Sequence, residues 1–567
     1  MSAAVGRTVA EAIAAALAAG TDGPAFGVLG EGSLAVVYDL VHRHGRRYVA
    51  AAREDGAVLM ADGFGRAGGG LGLAAITHGP ALTNAVTALT EAARARTPLV
   101  VLVGDTPPDD RRNPQDIDQV AVVAPTGAGF QPVTSAAAAP ADVALALRRA
   151  RTERRPIVLN VPTPLLDQPA PPDDVDPSVA PPQAVAPDPD AVARAAAVVA
   201  GSRRPLVVAG RGAATEGARH AALELAERAG ALVGTTLLAK GLFRGDPYDV
   251  GVCGGYTATR AARDLIAGAD CVVAVGAGLT GFTTDGGALL AGAPIVQIDI
   301  DPAAFGRWTP PTVAVQADAA AGLRALAAAL PPATDTWRTA ATAARLAGAR
   351  DEEVAAEAKR ATSAAEAGRP VGLDLHAVVR VLDELVPEQR TVVVDGGHAA
   401  LSEPSRSLAV PDPTGFVFPL HFGSIGLSLG SAVGAAFARP DRVTLCTVGD
   451  GGFLMSLAEL DTAVRHQLEL VVVVLNDGGY GWEYHQMRDQ GRDPALSLIA
   501  RPDFAAVARG FGADGVAVET VDELRAALED RLPALGRPLV IDAQIDRDVR
   551  TEWYATHASA PPAGLDP

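Results

Sequence analysis

The chain has 567 residues, of which 49% are hydrophobic, and its formal net charge is −18. This length predicts about three domains. The negative charge argues against nucleic acid or an anionic membrane as the main partner, because both attract basic surfaces. The three cysteines, Cys253, Cys271 and Cys446, match no zinc site or disulfide framework, which fits a reducing, cytoplasmic compartment. Cys271 and Cys446 lie in apolar runs and are predicted to be buried thiols.

The first twenty residues, "MSAAVGRTVAEAIAAALAAG", predict an amphipathic helix rather than a signal peptide, because Arg7 and Glu11 interrupt the apolar run. No apolar run in the chain is long enough to span a bilayer. Proline-rich and Ala- and charge-rich stretches mark the predicted boundaries. These give an N-terminal domain 1–165, a linker 166–190, a central domain 191–335, a linker helix 336–371, a C-terminal domain 372–550 and a tail 551–567.

Each of the three blocks alternates strand-like apolar runs with longer helical patterns. The strand-like runs include "PLVVLVGD" and "RPIVLNVPT", then "RPLVVAGRGA", "DCVVAVGAGL" and "APIVQIDID", and finally "RTVVVDGG", "DRVTLCTVGDGG", "LELVVVVLNDGG" and "RPLVIDAQID". Nearly continuous Val, Ile and Leu runs between helices are typical of buried parallel strands. The sequence therefore predicts an α/β fold of three doubly wound parallel-sheet domains, whose ligands bind at the C-terminal ends of the strands.

Two of these strand ends in the last block carry carboxylates in glycine turns. Asp450 precedes Gly451 and Gly452, and the stretch "FLMSLAELDTAVRHQ" after them predicts one helix whose positive N-terminus faces the turn. Asp477 ends the next strand and precedes another glycine pair. Two carboxylates and a backbone carbonyl suit Mg²⁺ bound to a phosphate, although either turn alone is also an ordinary strand-to-helix connection.

The segment "GDGGFLMSLAELDTAVRHQLELVVVVLNDGGYG" resembles the diphosphate and metal motif of thiamine diphosphate (ThDP) enzymes. The resemblance implies that Asp450, Asp477 and the carbonyl of Gly479 bind Mg²⁺, with Asn476 as the alternative ligand. It also implies diphosphate contacts from the glycines of the turn, Gly449, Gly451 and Gly452. The family usually has Asn where Asp477 stands, and an added carboxylate makes a divalent cation more necessary.

The N-terminal block resembles the same family. "REDGAVLMADGFGR" is similar to the motif in which a glutamate heads a helix and activates the aminopyrimidine ring, so Glu54 is the implied activating residue. The alternative is a solvated charge at a helix start. "THGPALTN" resembles a further family segment, with His78 as a candidate catalytic residue and Asn84 as a cofactor contact. "RRNPQDIDQ" resembles a third, with Gln115 as the matching residue.

Two more segments complete the resemblance, which runs from about residue 8 to about residue 545. In "HFGSIGLSLG", Gly423 matches a carbonyl that accepts from the cofactor amino group, and Ile425 matches the side chain that bends the cofactor. In "VVVDGGHA", Gly397 and His398 match diphosphate contacts. The resemblance implies pyrimidine-binding, central and diphosphate-binding domains. It also implies a homodimer or homotetramer in which Glu54 and Asp450 meet across a dimer interface.

The reaction expected from the resemblance starts with decarboxylation of a 2-oxo acid. We expect an acetolactate-synthase-like carboligase that passes the acyl unit to a carbonyl acceptor. A simple decarboxylase that releases an aldehyde is the first alternative, and Glu483 in "GGYGWEYHQ" matches a catalytic glutamate of that group. A non-catalytic ThDP-fold protein is the second. His421 and His485 follow His78 as candidate acids or bases.

Bound flavin is not expected. Acetolactate synthases and pyruvate oxidases bind FAD in the central domain, and the matching stretch "AVGAGLTGFTTDGG" lacks their arginine- and aspartate-rich flavin segment. Without flavin, oxidation of the acyl unit is not the expected reaction.

Overall fold

The protein is built on three six-stranded sheets in which every strand pairing is parallel. The computed structural model describes residues 7–110, 112–172, 176, 178, 183–349, 372–551 and 554. The first sheet consists of β1 (Ala25–Gly27), β2 (Tyr48–Ala50), β3 (Gly72–Ile76), β4 (Leu99–Asp105), β5 (Gly129–Pro132) and β6 (Pro156–Pro162), in the order β2-β1-β3-β4-β6-β5.

The second and third sheets repeat this doubly wound plan. The second consists of β7 (Pro205–Ala209), β8 (Leu232–Thr235), β9 (Asp249–Val252), β10 (Cys271–Val275), β11 (Ile295–Asp299) and β12 (Val313–Gln316), in the order β12-β11-β10-β7-β8-β9. The third consists of β13 (Arg390–Val394), β14 (Phe416–Val417), β15 (Val443–Gly449), β16 (Leu470–Asn476), β17 (Asp514–Val518) and β18 (Leu539–Gln544), in the order β14-β13-β15-β16-β18-β17.

Helices cover the faces of each sheet. Around the first sheet they are Val9–Gly20, Glu31–His42, Glu54–Phe64, Pro80–Asn84, Val86–Arg94, Gln119–Val123 and Ala139–Glu153. Around the second they are Pro189–Ala200, Glu216–Ala229, Arg260–Ala267, Gly281–Thr284 and Ala319–Ala329, followed by Ala340–Ala347. Around the third they are Leu375–Leu385, His398–Ser407, Ser428–Ala438, Asp450–Ser456, Glu459–Arg465, Gly481–Asp489, Phe504–Phe511 and Val521–Arg531.

The structure confirms the predicted α/β fold with three parallel sheets. The nine long apolar runs form β4, β6, β7, β10, β11, β13, β15, β16 and β18, and their side chains are almost all buried. Strands that the sequence did not indicate are mostly short; β1 and β2 have three residues each and β14 has two. Runs of that length carry too little periodicity to separate a strand from a loop.

The domain boundaries stay predictions, although the three sheets occur in the predicted order. The helix Pro189–Ala200 begins just inside the predicted linker, with Pro at its first position, where a missing N–H costs nothing. Much of the linker helix and nearly all of the tail lie outside the described residues.

All three cysteines are free and buried. Within the described residues, no helix has the length and hydropathy of a membrane span.

The N-terminal and C-terminal sheets are joined by two helices that cross closely. The helix Glu54–Phe64, called here the Glu54 helix, packs against Ser428–Ala438. A Cβ on Gly434 would lie 1.9 Å from the carbonyl oxygen of Met60, and one on Gly63 would lie 2.1 Å from that of Ser431. Only glycine at these two positions allows the backbones to approach this closely, so the crossing fixes the orientation of the Glu54 helix.

Replacing Gly434 by valine should therefore destabilise the protein. We expect Gly434→Val to lower the free energy of unfolding by about 3 kcal/mol, near the upper end of overpacking costs, because backbone atoms must move. Urea unfolding measures the change. The matched control is Gly510→Val, since a Cβ at helical Gly510 meets no atom within 4 Å. Equal stability of the two variants would mean that the crossing tolerates a side chain.

Candidate active site

One large cleft collects most of the predicted site residues of the C-terminal domain; Asn476 and His485 are not among its lining residues. The cleft has a volume of about 1910 Å³ and lies between the central and C-terminal domains, with the turn at Ala93–Arg96 at one side. The predicted residues that line it are Gly397, His398, Gly423, Ile425, Gly449, Asp450, Gly451, Gly452, Asp477, Gly479 and Glu483. The segment 276–287, which carries the expectation about flavin, lines the central-domain wall; that expectation stays a prediction.

The Asp450 and Asp477 turns are adjacent because their strands are neighbours. β15 and β16 pair in parallel with Gly449 opposite Leu475, so both strands end at the same edge of the sheet. β13 lies on the other side of β15, and the chain leaves β13 toward β14 at the opposite edge. The strand order thus reverses between β13 and β15, which is where doubly wound sheets bind ligands.

The prediction of a single helix after Asp450 is wrong. The structure has two helices there, Asp450–Ser456 and Glu459–Arg465.

Backbone N–H groups hold the two carboxylates side by side. The Asp450 carboxylate accepts from the N–H groups of Gly451 at 2.7 Å, Gly478 at 2.8 Å and Gly479 at 3.0 Å. The N–H of Gly479 also donates to Asp477 Oδ1 at 3.2 Å. Burial raises the pKa of Asp450. Burial and the neighbouring Asp450 carboxylate raise the pKa of Asp477 to about 7, so the turn favours an added positive charge.

This carboxylate pair fits a divalent cation. Neither Asp450 nor Asp477 forms an ion pair within the part of the chain that the structure describes; Arg501 and Arg547 donate to the carbonyl of Asp477 instead. The described residues contain no group of three His, Cys, Asp or Glu side chains that could hold a metal. A cation here would need further oxygens from a backbone carbonyl, water and a bound phosphate, which is the coordination that Mg²⁺ usually has in proteins.

The alternative ligand Asn476 faces away from this position. Its Nδ2 donates to Asp542 Oδ1 at 2.9 Å inside the sheet. Successive side chains of a strand point to opposite faces, so Asn476 and Asp477 cannot both face the turn. The geometry favours Asp477 over Asn476 as the metal ligand.

Asp395 is a site residue that sequence reasoning missed. It follows β13, is 1% exposed, and accepts from the N–H of Gly426 with both oxygens, at 3.0 and 2.9 Å. Burial raises its pKa to about 6. A Cβ on Gly452 would lie 2.3 Å from Asp395 Oδ2, so Asp395 packs against the turn that follows Asp450. Through the N–H of Gly426, Asp395 also holds the loop that carries Ile425. The signal was present, because "VVVDGG" is a third strand end with an Asp-Gly turn.

Two glycines shape the same wall with backbone conformations that favour glycine. Gly397 has a φ of 97° and precedes the helix His398–Ser407. Gly423 has a φ of 77°, and a Cβ there would meet no atom of the described residues within 4 Å, so among these residues its backbone borders open space in the cleft. A flat or anionic group can therefore approach the main chain at both positions.

His398 and His485 are buried, and only His398 lines the cleft. Their rings are 4.8 Å apart, and both pack against Tyr554. His398 Nε2 accepts from the N–H of Thr551 at 3.2 Å. Burial and the neighbouring His485 lower the pKa of His398 to about 3, so His398 is neutral. His485 lies behind the cleft wall, where it packs rather than meets a ligand.

A buried ionic network anchors the loop that leads to Gly423. Glu91 Oε2 accepts from the N–H of Phe422 at 2.7 Å, while its Oε1 contacts Arg66 at 2.7 Å and His421 Nδ1 at 3.0 Å. Burial would raise the pKa of Glu91, but Arg66 and His421 together lower it to about 2. This network ties the N-terminal domain to the wall of the cleft and holds His421 at its surface.

The predicted residues of the N-terminal domain form a second group, outside the cleft. Glu54 is half-buried, and its Oε2 accepts from Asn84 Nδ2 at 3.0 Å. His78 is 2% exposed, and its Nδ1 lies beside Gly32 and Gly104; its catalytic role stays a prediction. Gln115 is half-buried beside the turn at Gly79. We call Glu54, His78, Asn84 and Gln115 the N-terminal site group.

Glu483 differs from the other carboxylates of the cleft because its side chain is exposed. It lies in the first turn of the helix Gly481–Asp489, and its neighbours Trp482 and Gln486 line the cleft with it. A carboxyl group there is free to meet a substrate, unlike the buried pair at the strand ends.

Comparison with known proteins shows similarity along nearly the whole chain. Models of thiamine pyrophosphate enzymes match in all three domains: the N-terminal TPP binding domain at residues 7–122, the central domain at 192–326 and the C-terminal TPP binding domain at 400–543. "Probable 2-ketoarginine decarboxylase AruI" of Pseudomonas aeruginosa is 31% identical over 88% of this chain and 87% of its own length.

Two further relatives carry different activities in their names. The sulfoacetaldehyde acetyltransferase of Rhodobacter capsulatus is 28% identical over 96% of this chain and 95% of its own length. The acetolactate synthase isozyme 2 large subunit of Escherichia coli is 29% identical over 92% of each chain. These relatives therefore match nearly the whole chain and differ in the activities that their names give.

Proposed function

Because the chain belongs to the thiamine pyrophosphate enzyme family, we propose that it is a Mg²⁺-dependent, non-oxidative carboligase of the acetolactate synthase type. It would decarboxylate a 2-oxo acid and join the acyl carbon to the carbonyl carbon of an acceptor. The observation that carries the proposal is the pair of buried carboxylates, Asp450 and Asp477, which lie side by side in the cleft at the switch point of the third sheet.

The residues present fit the cofactor and its metal. Asp450, Asp477 and the carbonyl of Gly479 would hold Mg²⁺, and the glycines at 449, 451 and 452 with Gly397 and His398 would contact the diphosphate. Gly423 and Ile425 would hold the pyrimidine side. When bound, ThDP supplies a carbon nucleophile that adds to the 2-oxo acid and accepts the electrons released with carbon dioxide.

The chain's own groups would supply binding and proton transfer. In carboligation carbon dioxide leaves, one carbon–carbon bond forms, and the acceptor oxygen takes a proton. In simple decarboxylation the acyl carbon takes the proton and an aldehyde leaves. We propose Glu483 and His421, which both line the cleft, as the groups that give that proton. The free, buried thiols support the expected reducing, cytoplasmic compartment.

We also propose that two subunits share each active site. The N-terminal site group carries the candidate activating residue Glu54, whereas the metal turn lies in the cleft, and the structure does not bring them together. Large apolar side chains are exposed beside both. Near the first group they are Leu29, Leu34, Tyr38, Ile117 and Val120, and near the metal turn they are Leu454, Met455, Tyr480, Leu496 and Leu498. In an isologous dimer, the patch beside the N-terminal site group of each subunit would contact the patch beside the metal turn of the other subunit. Two complete active sites would result.

Co-expression of two inactive variants tests the shared site. In a mixed dimer of Glu54→Gln and Asp450→Ala chains, one site carries both changes and the other carries neither. Random pairing makes half of the dimers mixed, so about a quarter of the wild-type activity should return. Product formation by the co-purified variants measures this. Activity that stays at the level of the single variants would place both residues in one subunit's site.

The second candidate function is a simple 2-oxo acid decarboxylase. The observation that favours it is Glu483, whose exposed carboxyl group lines the cleft. A carboxyl group that protonates the acyl carbon favours aldehyde release, and one relative is named as a decarboxylase. Carboligation instead requires that an acceptor reach the acyl carbon before a proton does.

Replacing Glu483 by glutamine should change the partition between these products. We expect the ratio of aldehyde to hydroxyketone to fall by about tenfold, because a general acid typically contributes at least that much to a proton transfer. Mass spectrometry of products with a 2-oxo acid and an aldehyde acceptor measures the ratio. Glu529→Gln, in an exposed position of the helix Val521–Arg531, is the control. An unchanged ratio would assign Glu483 to the solvated surface.

The proposed function itself is tested by product analysis. Purified protein with ThDP and Mg²⁺ is incubated with a panel of 2-oxo acids, with and without aldehyde acceptors. Hydroxyketones would support the carboligase and identify donor and acceptor together. Aldehydes alone would favour the decarboxylase. Bound cofactor with no product from any donor would contradict both.

A further inference from the structure

Glu459 is a buried carboxylate of the C-terminal domain that lies at the start of the Glu54 helix. It is 3% exposed. Its Oε1 accepts from the N–H of Arg53 at 3.1 Å, and its Oε2 accepts from the N–H of Ala52 at 3.2 Å and from Thr462 Oγ1 at 2.9 Å. These contacts join residues 406 and 407 positions apart in the chain.

The Glu54 helix has no cap of its own. Arg53 occupies the N-cap position in an extended conformation, and its side chain makes no capping hydrogen bond. Helices usually place Ser, Thr, Asp or Asn there, because a short side chain can accept from the first free N–H groups. Glu459, from another domain, instead holds the N–H groups of Ala52 and Arg53, the two residues directly before the helix. The negative charge also suits the positive end of a helix.

Gly56 leaves the room that this carboxylate needs. A Cβ on Gly56 would lie 1.9 Å from Glu459 Oε1 and 2.5 Å from its carboxyl carbon. Any larger residue at position 56 would displace Glu459. The packing of the first turn and the position of the carboxylate therefore depend on each other.

We infer that Glu459 is a positioning residue that holds Glu54 in place. It fixes the backbone of Ala52 and Arg53, directly before Glu54, while Asn84 fixes the far end of the Glu54 side chain at 3.0 Å. A carboxylate that acts on a bound ring must be held to within a fraction of an ångström. The catalytic part of this inference rests on the proposed role of Glu54, whereas the backbone hydrogen bonds do not.

The variant Glu459→Gln tests the inference in the cofactor-free protein. The amide has the same shape, but its NH₂ group would face a backbone N–H, so at least one hydrogen bond to residues 52 and 53 is lost. We expect amide hydrogen exchange in peptides covering residues 50–58 to accelerate by about 2- to 30-fold, the range for a lost helix cap. Exchange elsewhere should not change, which separates local loosening from failure to fold.

Turnover should fall with the same variant. With ThDP and Mg²⁺ we expect kcat to drop by about tenfold or more, with little change in KM for the 2-oxo acid or in ThDP affinity. Adding Arg53→Ser to Glu459→Gln supplies a local cap, so the double variant should keep a larger part of kcat than Glu459→Gln alone. The matched control is Glu523→Gln. Glu523 caps Val521–Arg531 through the N–H of Thr520 at 3.3 Å, far from the site, so exchange should rise there with kcat unchanged.

Three results would overturn the inference. Unchanged exchange at residues 50–58 would mean that Glu459 does not hold the helix. Faster exchange with unchanged kcat would mean that the helix start does not position Glu54 for catalysis. A loss of kcat that Arg53→Ser leaves untouched would assign Glu459 another role.

A wild-type protein that forms no product would overturn the proposed function and the catalytic part of the inference. The exchange data would still decide whether Glu459 holds the start of the Glu54 helix.

Discussion

Glu54→Gln should lower turnover by about 10²- to 10⁴-fold, the usual range for loss of an acid–base group, and leave ThDP binding nearly unchanged. Glutamine keeps the shape of the side chain and can still pair with Asn84, which lies 3.0 Å from Glu54 Oε2. What it removes is the exchangeable carboxyl proton. The effect should therefore fall on kcat rather than on KM or on cofactor affinity.

Two measurements check this result. The rate of product formation gives kcat, and the rise in thermal midpoint on adding ThDP and Mg²⁺ reports binding, because a ligand of the folded state stabilises it. Asp55→Asn is the matched control, since Asp55 is the next residue of the helix and its carboxylate pairs with Arg53 at 3.0 Å. Near-normal turnover of Glu54→Gln would exclude the activating role and return Glu54 to a solvated charge at a helix start.

Asp450→Ala should abolish the retention of ThDP that depends on divalent metal. The variant removes one of two carboxylates that share the N–H of Gly479. Removing one partner of a buried ionic contact typically costs about 3–5 kcal/mol. Metal affinity should therefore fall by at least about a hundredfold. The measurement is the amount of ThDP that remains after gel filtration with Mg²⁺ or with a chelator.

A second variant separates charge from structure. Alanine also leaves the N–H groups of Gly451, Gly478 and Gly479 without their acceptor. Asp450→Asn keeps an acceptor oxygen and removes the charge, so it should lose metal but keep the turn. Asp477→Asn should have a smaller effect, because a neutral ligand at that position leaves the Asp450 charge in place. Unchanged retention in both Asp450 variants would move the metal site elsewhere.

Most of the fold could be predicted from the sequence because long buried strands have a strong local signal. The runs that became β15 and β16 consist almost entirely of Val, Leu and Thr, and only a strand buried on both faces tolerates such a composition. Short strands such as β14 could not be predicted, because two residues carry no period. The helix after Asp450 was predicted as one element, since periodicity does not show a break of two residues.

The candidate site could be predicted as a set of residues but not as an arrangement. Most of the predicted residues of the C-terminal domain line one cleft because strand ends in a parallel sheet face the same edge. Asn476 and Asp477 are adjacent in sequence, and only the direction of the strand decided that Asn476 turns to Asp542. The motif made His78 a candidate, but only the structure showed that its ring is buried beside Gly32, Gly104 and Thr77.

By itself the sequence determined which residues stand at strand ends and helix starts, because composition and periodicity are properties of short segments. It thus determined the three sheets, the turns at Asp450 and Asp477, and the place of Glu54 at the start of a helix. Only the tertiary structure decided which of these residues meet. Contacts such as Glu459 with Ala52 join residues 407 positions apart, and no local pattern encodes such a pair, since its geometry depends on how two whole domains pack.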